Sequence, residues 1–494
     1  MPTAKLTSIS AIINQVRSTN IQRIFKEPVL LFTASRYVGY GLVVIRGLLL
    51  AKFLGPTLFG TWGFITLLEQ YLTYSNFGIQ YSVTVKLSTQ DSETQVSRSQ
   101  VISAAFLTSI LFSLILFILG LWVQTRQVEL FEKYTFNRYA ILLGLWVGLV
   151  NLQQVLINTY RVYNKLLRIA ISELLVAITP LIAVFFFRGE ALIIASLASA
   201  AGAALLSIAV FTYKPPFKWT LQISRGIIHS LLIVGLSLLV YNVSYNLITM
   251  VGRTILSAYY SNEQMGFYSF ANSITYATLL GFKAILWVAF PSILHSTRST
   301  VANEEAAQTV QKVNNLFNTS VFLSIFALII VSPVLFLFLP QFAPSFQIFS
   351  ILLLTQAMLL LSFGYNSLAI ARNEQMKVAG ISIITVVIVG GLGFAFALLK
   401  LPAVWIASAV FLGSFIYTLL QVRLGFKVIQ PTGRLKEYFP QVFSPGTILA
   451  VWIAYIGTML DFTFLSTIIA LAIYILTNRG KVRMLWQYAI KKFS

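Results

Sequence analysis

Apolar runs of about twenty residues recur along the whole chain, separated by short polar turns. Runs of that length match the hydrocarbon thickness of a bilayer crossed by a helix. They are continuous rather than alternating, so they predict helices and not the strands of a barrel. Fourteen spans are read, at about 30–52, 58–81, 99–123, 139–159, 169–187, 191–213, 227–251, 264–290, 314–339, 346–371, 378–399, 403–422, 444–460 and 462–478. The first begins only near residue 29, and no cleavable signal peptide is read before it.

The pattern contains an internal echo. "LFGTWGFIT" (58–66) in the second span aligns with "QMGFYSFAN" (264–272) in the eighth, at an offset of 206 residues. Each is entered by a short turn, "GPT" at Gly55 and "SNE" at Ser261. A second pair of basic turns, "YRVYNK" (160–165) and "ARNEQMK" (371–377), follows the fourth and tenth spans. Six spans separate the copies, and an even number preserves orientation, so the halves are expected to be parallel repeats. The expected fold is therefore an all-α polytopic membrane protein of about 14 transmembrane helices. Two six-helix lobes, related by a pseudo-twofold along the membrane normal, would be followed by two C-terminal helices.

The expected organisation is a cytoplasmic segment at 1–29, a first lobe at 30–213, a linker at 214–226, a second lobe at 227–423, and a final pair with its tail at 424–494. In the first segment, Ile9, Ile12, Ile13 and Val16 recur at helical spacing, which suits either a helix lying on the membrane surface or a frayed tail.

Polar residues inside spans are costly, so their alignment carries information. Asn242, Asn246, Thr249 and Arg253 fall on one helical face of the seventh span. Glu69, Thr73, Asn76 and Gln80 repeat that spacing in the second. Asn272, Tyr276 and Lys283 share a face of the eighth. Arg36 and Tyr40 lie on one stripe of the first, with Ser35, Gly39 and Arg46 on the adjacent stripe. Together the four faces would line one water-accessible cavity.

Each residue also has a plainer reading. Arg36 lies roughly 9 Å into its span at ~1.5 Å per residue, within snorkelling reach of the interface. Arg46 and Lys283 could snorkel likewise. Glu69 is near mid-span and would either pair with Arg46 or be protonated. Glu173 reads as interfacial, and Arg253 as solvated at the outer mouth.

Composition narrows the function. The chain has 494 residues, of which 57% are hydrophobic and 10% charged. A soluble domain carries roughly 25% charged residues. The net charge of +21 would suit a polyanion partner, but its distribution argues for topology instead. Of 35 Lys and Arg, 25 fall on the side holding both termini, 7 on the other and 3 within spans. The positive-inside rule puts both termini in the cytoplasm, and the excess charge faces anionic lipid rather than nucleic acid. There is no cysteine, and two histidines are too few for a histidine metal cluster. No P-loop pattern is present, and no cofactor or metal is expected.

Arg36, Arg46, Lys283 and Arg253 outnumber Glu69, so the cavity should take an anion. A guanidinium fork suits phosphate oxygens, which points to a lipid phosphate or pyrophosphate.

The stretch "LLLAKFLGPTLFGTWGFITLLEQYLTYSNFGIQYSVTVKLS" (48–88) resembles the opening repeat of the polysaccharide-biosynthesis flippases. These are the Wzx/RfbX-like branch of the multidrug/oligosaccharidyl-lipid/polysaccharide exporter superfamily. The matching elements are a helix ending in "KFLGP", then "LFG" and an aromatic-rich helix, then "FGI" before a basic turn. The resemblance implies two facing lobes that move undecaprenyl-pyrophosphate-linked oligosaccharide from the inner to the outer leaflet by alternating access. It implies residence in the cytoplasmic membrane and polysaccharide polymerase machinery as a partner. Only the location of the cavity is carried over. Its substrate-binding candidates are Arg46, Lys283, Arg36, Asn242, Asn246, Arg253, Asn272 and Tyr276. Glu69 is the candidate for ion coupling, because flipping without a nucleotide site must draw on a gradient or on consumption of the product.

A multidrug or small-solute antiporter of similar fold is the alternative, though it would favour an anionic or apolar cavity. A major-facilitator transporter lacks support in "YSVTVKLSTQDSETQVSRSQ" (81–100), which has no Asp, Gly and Arg cluster. A membrane glycosyltransferase would need chemistry-bearing outward loops, and those loops are short, so no enzyme is expected.

Overall fold

The computed structural model describes residues 28–89, 98–126, 132–222, 224–297, 301–429 and 444–493. The surface helix expected within 1–29 lies almost wholly outside the described residues. Seventeen α-helices are described: α1 (Pro28–Thr73), α2 (Ile79–Thr89), α3 (Arg98–Thr125), α4 (Ala140–Val162), α5 (Leu166–Phe186), α6 (Gly189–Thr212), α7 (Arg225–Tyr259), α8 (Asn262–Thr297), α9 (Asn303–Val331), α10 (Pro333–Phe338), α11 (Ser345–Leu361), α12 (Phe363–Ala371), α13 (Gln375–Leu398), α14 (Ala403–Ile429), α15 (Pro445–Met459), α16 (Thr463–Thr477) and α17 (Arg479–Phe493). The protein is an all-α polytopic membrane protein.

Every expected span falls largely on helical residues, but the second runs over the break between α1 and α2, and the ninth and tenth are each split in two, α9 with α10 and α11 with α12. Nine are long and apolar enough to cross a bilayer, or eleven if each bent pair counts as one, among the described residues. The expected spans beyond those are the second half of α1, the polar-faced α8 and the 15-residue α15. α1 holds two spans because its break is a single residue. Gly55 has φ 68 and ψ 172, a region essentially reserved for glycine, and Pro56 then starts the next helical turn.

The chain divides into two compact units that interleave along the sequence. The first comprises Met1–Arg46, Leu72–Leu236 and Tyr488–Ser494. Its core gathers Phe32, Ile79, Leu87, Leu156, Phe211 and Leu231. A polar pin crosses it: Gln153 on α4 donates to Ser172 on α5 at 3.1 Å and to Ser207 on α6 at 2.9 Å. Leu111, Ile118 and Trp122 on α3 are more than half exposed, as side chains facing lipid should be.

The second unit comprises Gly47–Tyr71 and Ser237–Gln487. Ile248, Leu359, Val389, Val410 and Tyr417 form one core of it. Elsewhere Phe59 of α1 meets Phe270 of α8 and Phe342, with ring centroids 6.1 and 5.6 Å away. There the two repeat segments pack directly on each other. A Cβ at Gly60 would land on the Asn262 carbonyl, and one at Gly266 on the Pro56 carbonyl. Gly60 precedes Gly266 by 206 residues, and Pro56 precedes Asn262 by the same 206. The contact is thus reciprocal, as a local twofold requires, and its offset is the one the sequence echo gives.

Candidate functional site

Two of the arginines inside the spans, Arg253 and Arg36, have found partners, each within its own unit. In the second unit, Arg253 projects from α7 and is only 4% exposed. An arginine in such surroundings must satisfy its donors locally. Its Nη2 donates to the Gly63 carbonyl at 2.5 Å and to Thr66 Oγ1 at 2.9 Å, and Nη1 to Gln70 Oε1 at 3.3 Å. One residue further along each of the two helices, the Tyr71 and Thr254 hydroxyls lie 2.7 Å apart. Glu69, Tyr268 and Tyr71 are within electrostatic reach of the guanidinium. The structure therefore brings together two of the sequence candidates, Glu69 and Arg253. It corrects the expectation that Arg253 is solvated: the guanidinium is buried on backbone and side-chain oxygens of α1.

In the first unit, Arg36 Nε meets Glu173 Oε2 at 3.2 Å, and the guanidinium stands 5.2 Å over the Phe32 ring. Arg161 on α4 lies within electrostatic reach of Arg36. Both side chains of the pair are about a quarter exposed. Arg36 thus neither stands alone nor merely snorkels, and Glu173 is its counter-ion.

Ten residues further along α1, Arg46 is half-buried. Its Nε is buried without a hydrogen-bond partner among the described residues. An unmet buried donor is costly, so an acceptor at this position would stabilise it.

The stripe expected to run through Glu69, Thr73, Asn76 and Gln80 is broken. α1 ends at Thr73, a single 3-10 turn follows over Tyr74–Asn76, and Phe77 and Gly78 take positive φ of 50 and 73. Asn76 turns into the first unit instead. Its Oδ1 accepts from the Gly78 amide at 3.0 Å and its Nδ2 donates to Asn151 on α4 at 3.4 Å. Further along, Thr84 donates to Asn158 at 3.2 Å. Asn151, Gln154, Asn158 and Arg161 recur at i, i+3, i+7 and i+10, a polar face of α4 that the sequence reading missed although its spacing was visible.

Asn242 Nδ2 donates back to the Leu238 carbonyl of its own helix at 2.9 Å. Asn246 is exposed, Asn272 half-buried, and Tyr276 55% exposed. Lys283 falls on α8, but its side chain lies outside the described residues.

The family described as "Polysaccharide biosynthesis protein" matches residues 26–297. No curated protein sequence matches the chain. Among solved structures, one described as the lipid II flippase MurJ in an inward closed conformation is similar at a TM-score of 0.69. Its identity is 16%, covering 93% of this chain and 100% of that one. An inward-facing multidrug resistance MATE family transporter of the MOP superfamily gives a TM-score of 0.62 at 16% identity, covering 81% of this chain and 95% of that one. A MOP superfamily transporter from Pyrococcus furiosus, described as having a binding pocket of reverse polarity, gives 0.53 at 13% identity over 83% and 94%. At these identities the likeness is one of fold.

Proposed function

The chain belongs to the polysaccharide biosynthesis protein family, and from that premise we propose that it is a flippase for lipid-linked oligosaccharide. The substrate is an undecaprenyl-pyrophosphate-linked unit of O-antigen, capsule or exopolysaccharide. It moves from the inner to the outer leaflet of the cytoplasmic membrane by alternating access of two lobes, residues 30–213 and 227–423. Both termini lie in the cytoplasm, and the polymerase machinery that consumes the product is the functional partner. The protein carries cargo rather than making or breaking bonds.

The observation that carries this reading is the family match, which spans α1 with its intramembrane arginines. A pyrophosphate head group needs donors at membrane depth, and Arg46 supplies a buried Nε with no described partner. Arg36 is held by Glu173, so a phosphate would have to compete with that carboxylate for it.

The multidrug antiporter is the second reading, favoured by the fold likeness to the MATE transporter. Depletion in living cells separates the two. Loss of a flippase leaves the lipid-linked unit accumulating in the inner leaflet, with drug sensitivity unchanged. Heightened drug sensitivity with normal glycolipid distribution would select the antiporter.

A further inference from the structure

The two basic turns echoed in the sequence have the same backbone and different fillings. Asn164 between α4 and α5, and Asn373 between α12 and α13, both take left-handed conformations, with φ 54 and 62. In each turn the amide after that asparagine closes back on a carbonyl five residues earlier: Lys165 on Tyr160 at 3.0 Å, Glu374 on Ala369 at 2.8 Å. Arg168 and Lys377 then occupy the same place, third in the helix that follows.

The first turn is packed shut. Tyr160 is fully buried, its ring 4.7 Å from Phe211, and its hydroxyl donates to the Phe211 carbonyl. Arg168 Nη1 donates to the Tyr160 hydroxyl at 2.9 Å and to the Tyr213 carbonyl at 2.7 Å, and its Nη2 to the Lys214 carbonyl at 3.0 Å. The arginine thus seals the turn against the end of α6.

In the second turn, Ala369 stands where Tyr160 stands, and Lys377 where Arg168 stands. The lysine does not reach across. Its Nζ pairs with Glu374 at 2.8 Å. What remains is a cleft of about 570 Å3 lined by Arg372, Glu374, Lys377, Leu424, Lys427 and Val428. Three cations face one carboxylate. Arg372 is fixed by donating to the Thr297 and Val301 carbonyls at 3.1 and 3.0 Å. Lys377 and Lys427 are exposed. Leu424 and Val428 lie one turn apart on α14 and give one wall an apolar strip.

A cationic cleft at the ends of membrane helices sits at headgroup depth, where basic pockets take lipid phosphates. The apolar strip adds a surface for the glycerol and first acyl carbons, which a free anion would not use. We propose that the cleft between the α12–α13 turn and the end of α14 binds the phosphodiester headgroup of an anionic phospholipid. None of the substrate-binding candidates lines the site, which exists because the second repeat lacks the tyrosine and arginine that close it in the first.

The test uses the full chain, purified in detergent and titrated with phosphatidylglycerol, phosphatidylethanolamine or inorganic phosphate. Bound lipid is counted by native mass spectrometry. Lys377→Ala with Lys427→Ala should weaken phosphatidylglycerol binding about tenfold, as loss of charge-assisted contacts predicts. Glu374→Gln, which frees Lys377, should strengthen it. Lys400→Ala, which removes one cation just beyond the far end of α13, should leave it unaltered. Equal binding by the double variant and the parent, or equal retention of phosphatidylethanolamine, would overturn the proposal. Displacement of the lipid by an equal concentration of inorganic phosphate would overturn the lipid assignment.

Discussion

Arg253 donates to the backbone carbonyl of Gly63, so a buried cation on α7 is held by α1 through an atom that every residue possesses. The same guanidinium takes Thr66 and Gln70. A charge this deep is tolerated because its donors are spread over several oxygens and a carboxylate lies within electrostatic reach.

Arg253→Lys keeps the charge and loses the planar fork, since one ammonium cannot serve three acceptors in that geometry. Leaving buried acceptors unmet costs about 1–3 kcal/mol. The expected outcome is a lower thermal unfolding midpoint in detergent, with Arg253→Leu lower still. A midpoint equal to the parent's in both variants would remove the guanidinium from the packing of α7 on α1.

The reciprocal contact of Gly60 and Gly266 predicts matched effects. An added methyl at either position meets a backbone carbonyl of the other repeat. Gly60→Ala and Gly266→Ala should therefore lower the unfolding midpoint by similar amounts, as overpacking of about 1–3 kcal/mol. Gly202 faces open space, and Gly202→Ala serves as the control. A large loss at one glycine with none at the other would contradict the twofold.

Much of this architecture was legible because its signals are local or periodic. Span lengths follow from bilayer thickness. The Gly55–Pro56 break is written in residue types, and the 206-residue echo became the Gly60 and Gly266 contact. What was hidden depends on distant partners. Arg36 and Glu173 are 137 positions apart, and neither residue names the other. Arg253 looked solvated because its principal acceptor is a main-chain carbonyl, which leaves no mark in the sequence. The stripe through Asn76 failed because Phe77 adopts a left-handed conformation that an aromatic residue does not advertise. Only the α4 face was visible and overlooked.

The Arg36 and Glu173 pair makes its own prediction. Glu173→Ala strands a partly buried guanidinium and should lower the amount of folded protein in the membrane. Exchanging the charges, Arg36→Glu with Glu173→Arg, should restore much of it, with a coupling on the order of 0.5–3 kcal/mol. Folded yield that stays low in the exchanged protein would mean that the pair does more than neutralise itself.

Glu69 is the candidate coupling residue, and it lies within electrostatic reach of Arg253. In proteoliposomes, substrate-dependent proton uptake should be lost in Glu69→Gln while substrate binding persists. Equal uptake in the parent and the variant would leave Glu69 as a structural counter-charge.

A lipid pyrophosphate is proposed to cross the membrane on this protein with the help of Arg46. The most direct measurement is leaflet exchange of labelled undecaprenyl-pyrophosphate oligosaccharide in proteoliposomes, scored by its accessibility to an impermeant enzyme. The account predicts rapid exchange with the parent protein, a partial rate with Arg46→Lys, and a rate near that of protein-free vesicles with Arg46→Ala. Exchange by Arg46→Ala as fast as the parent's would contradict it.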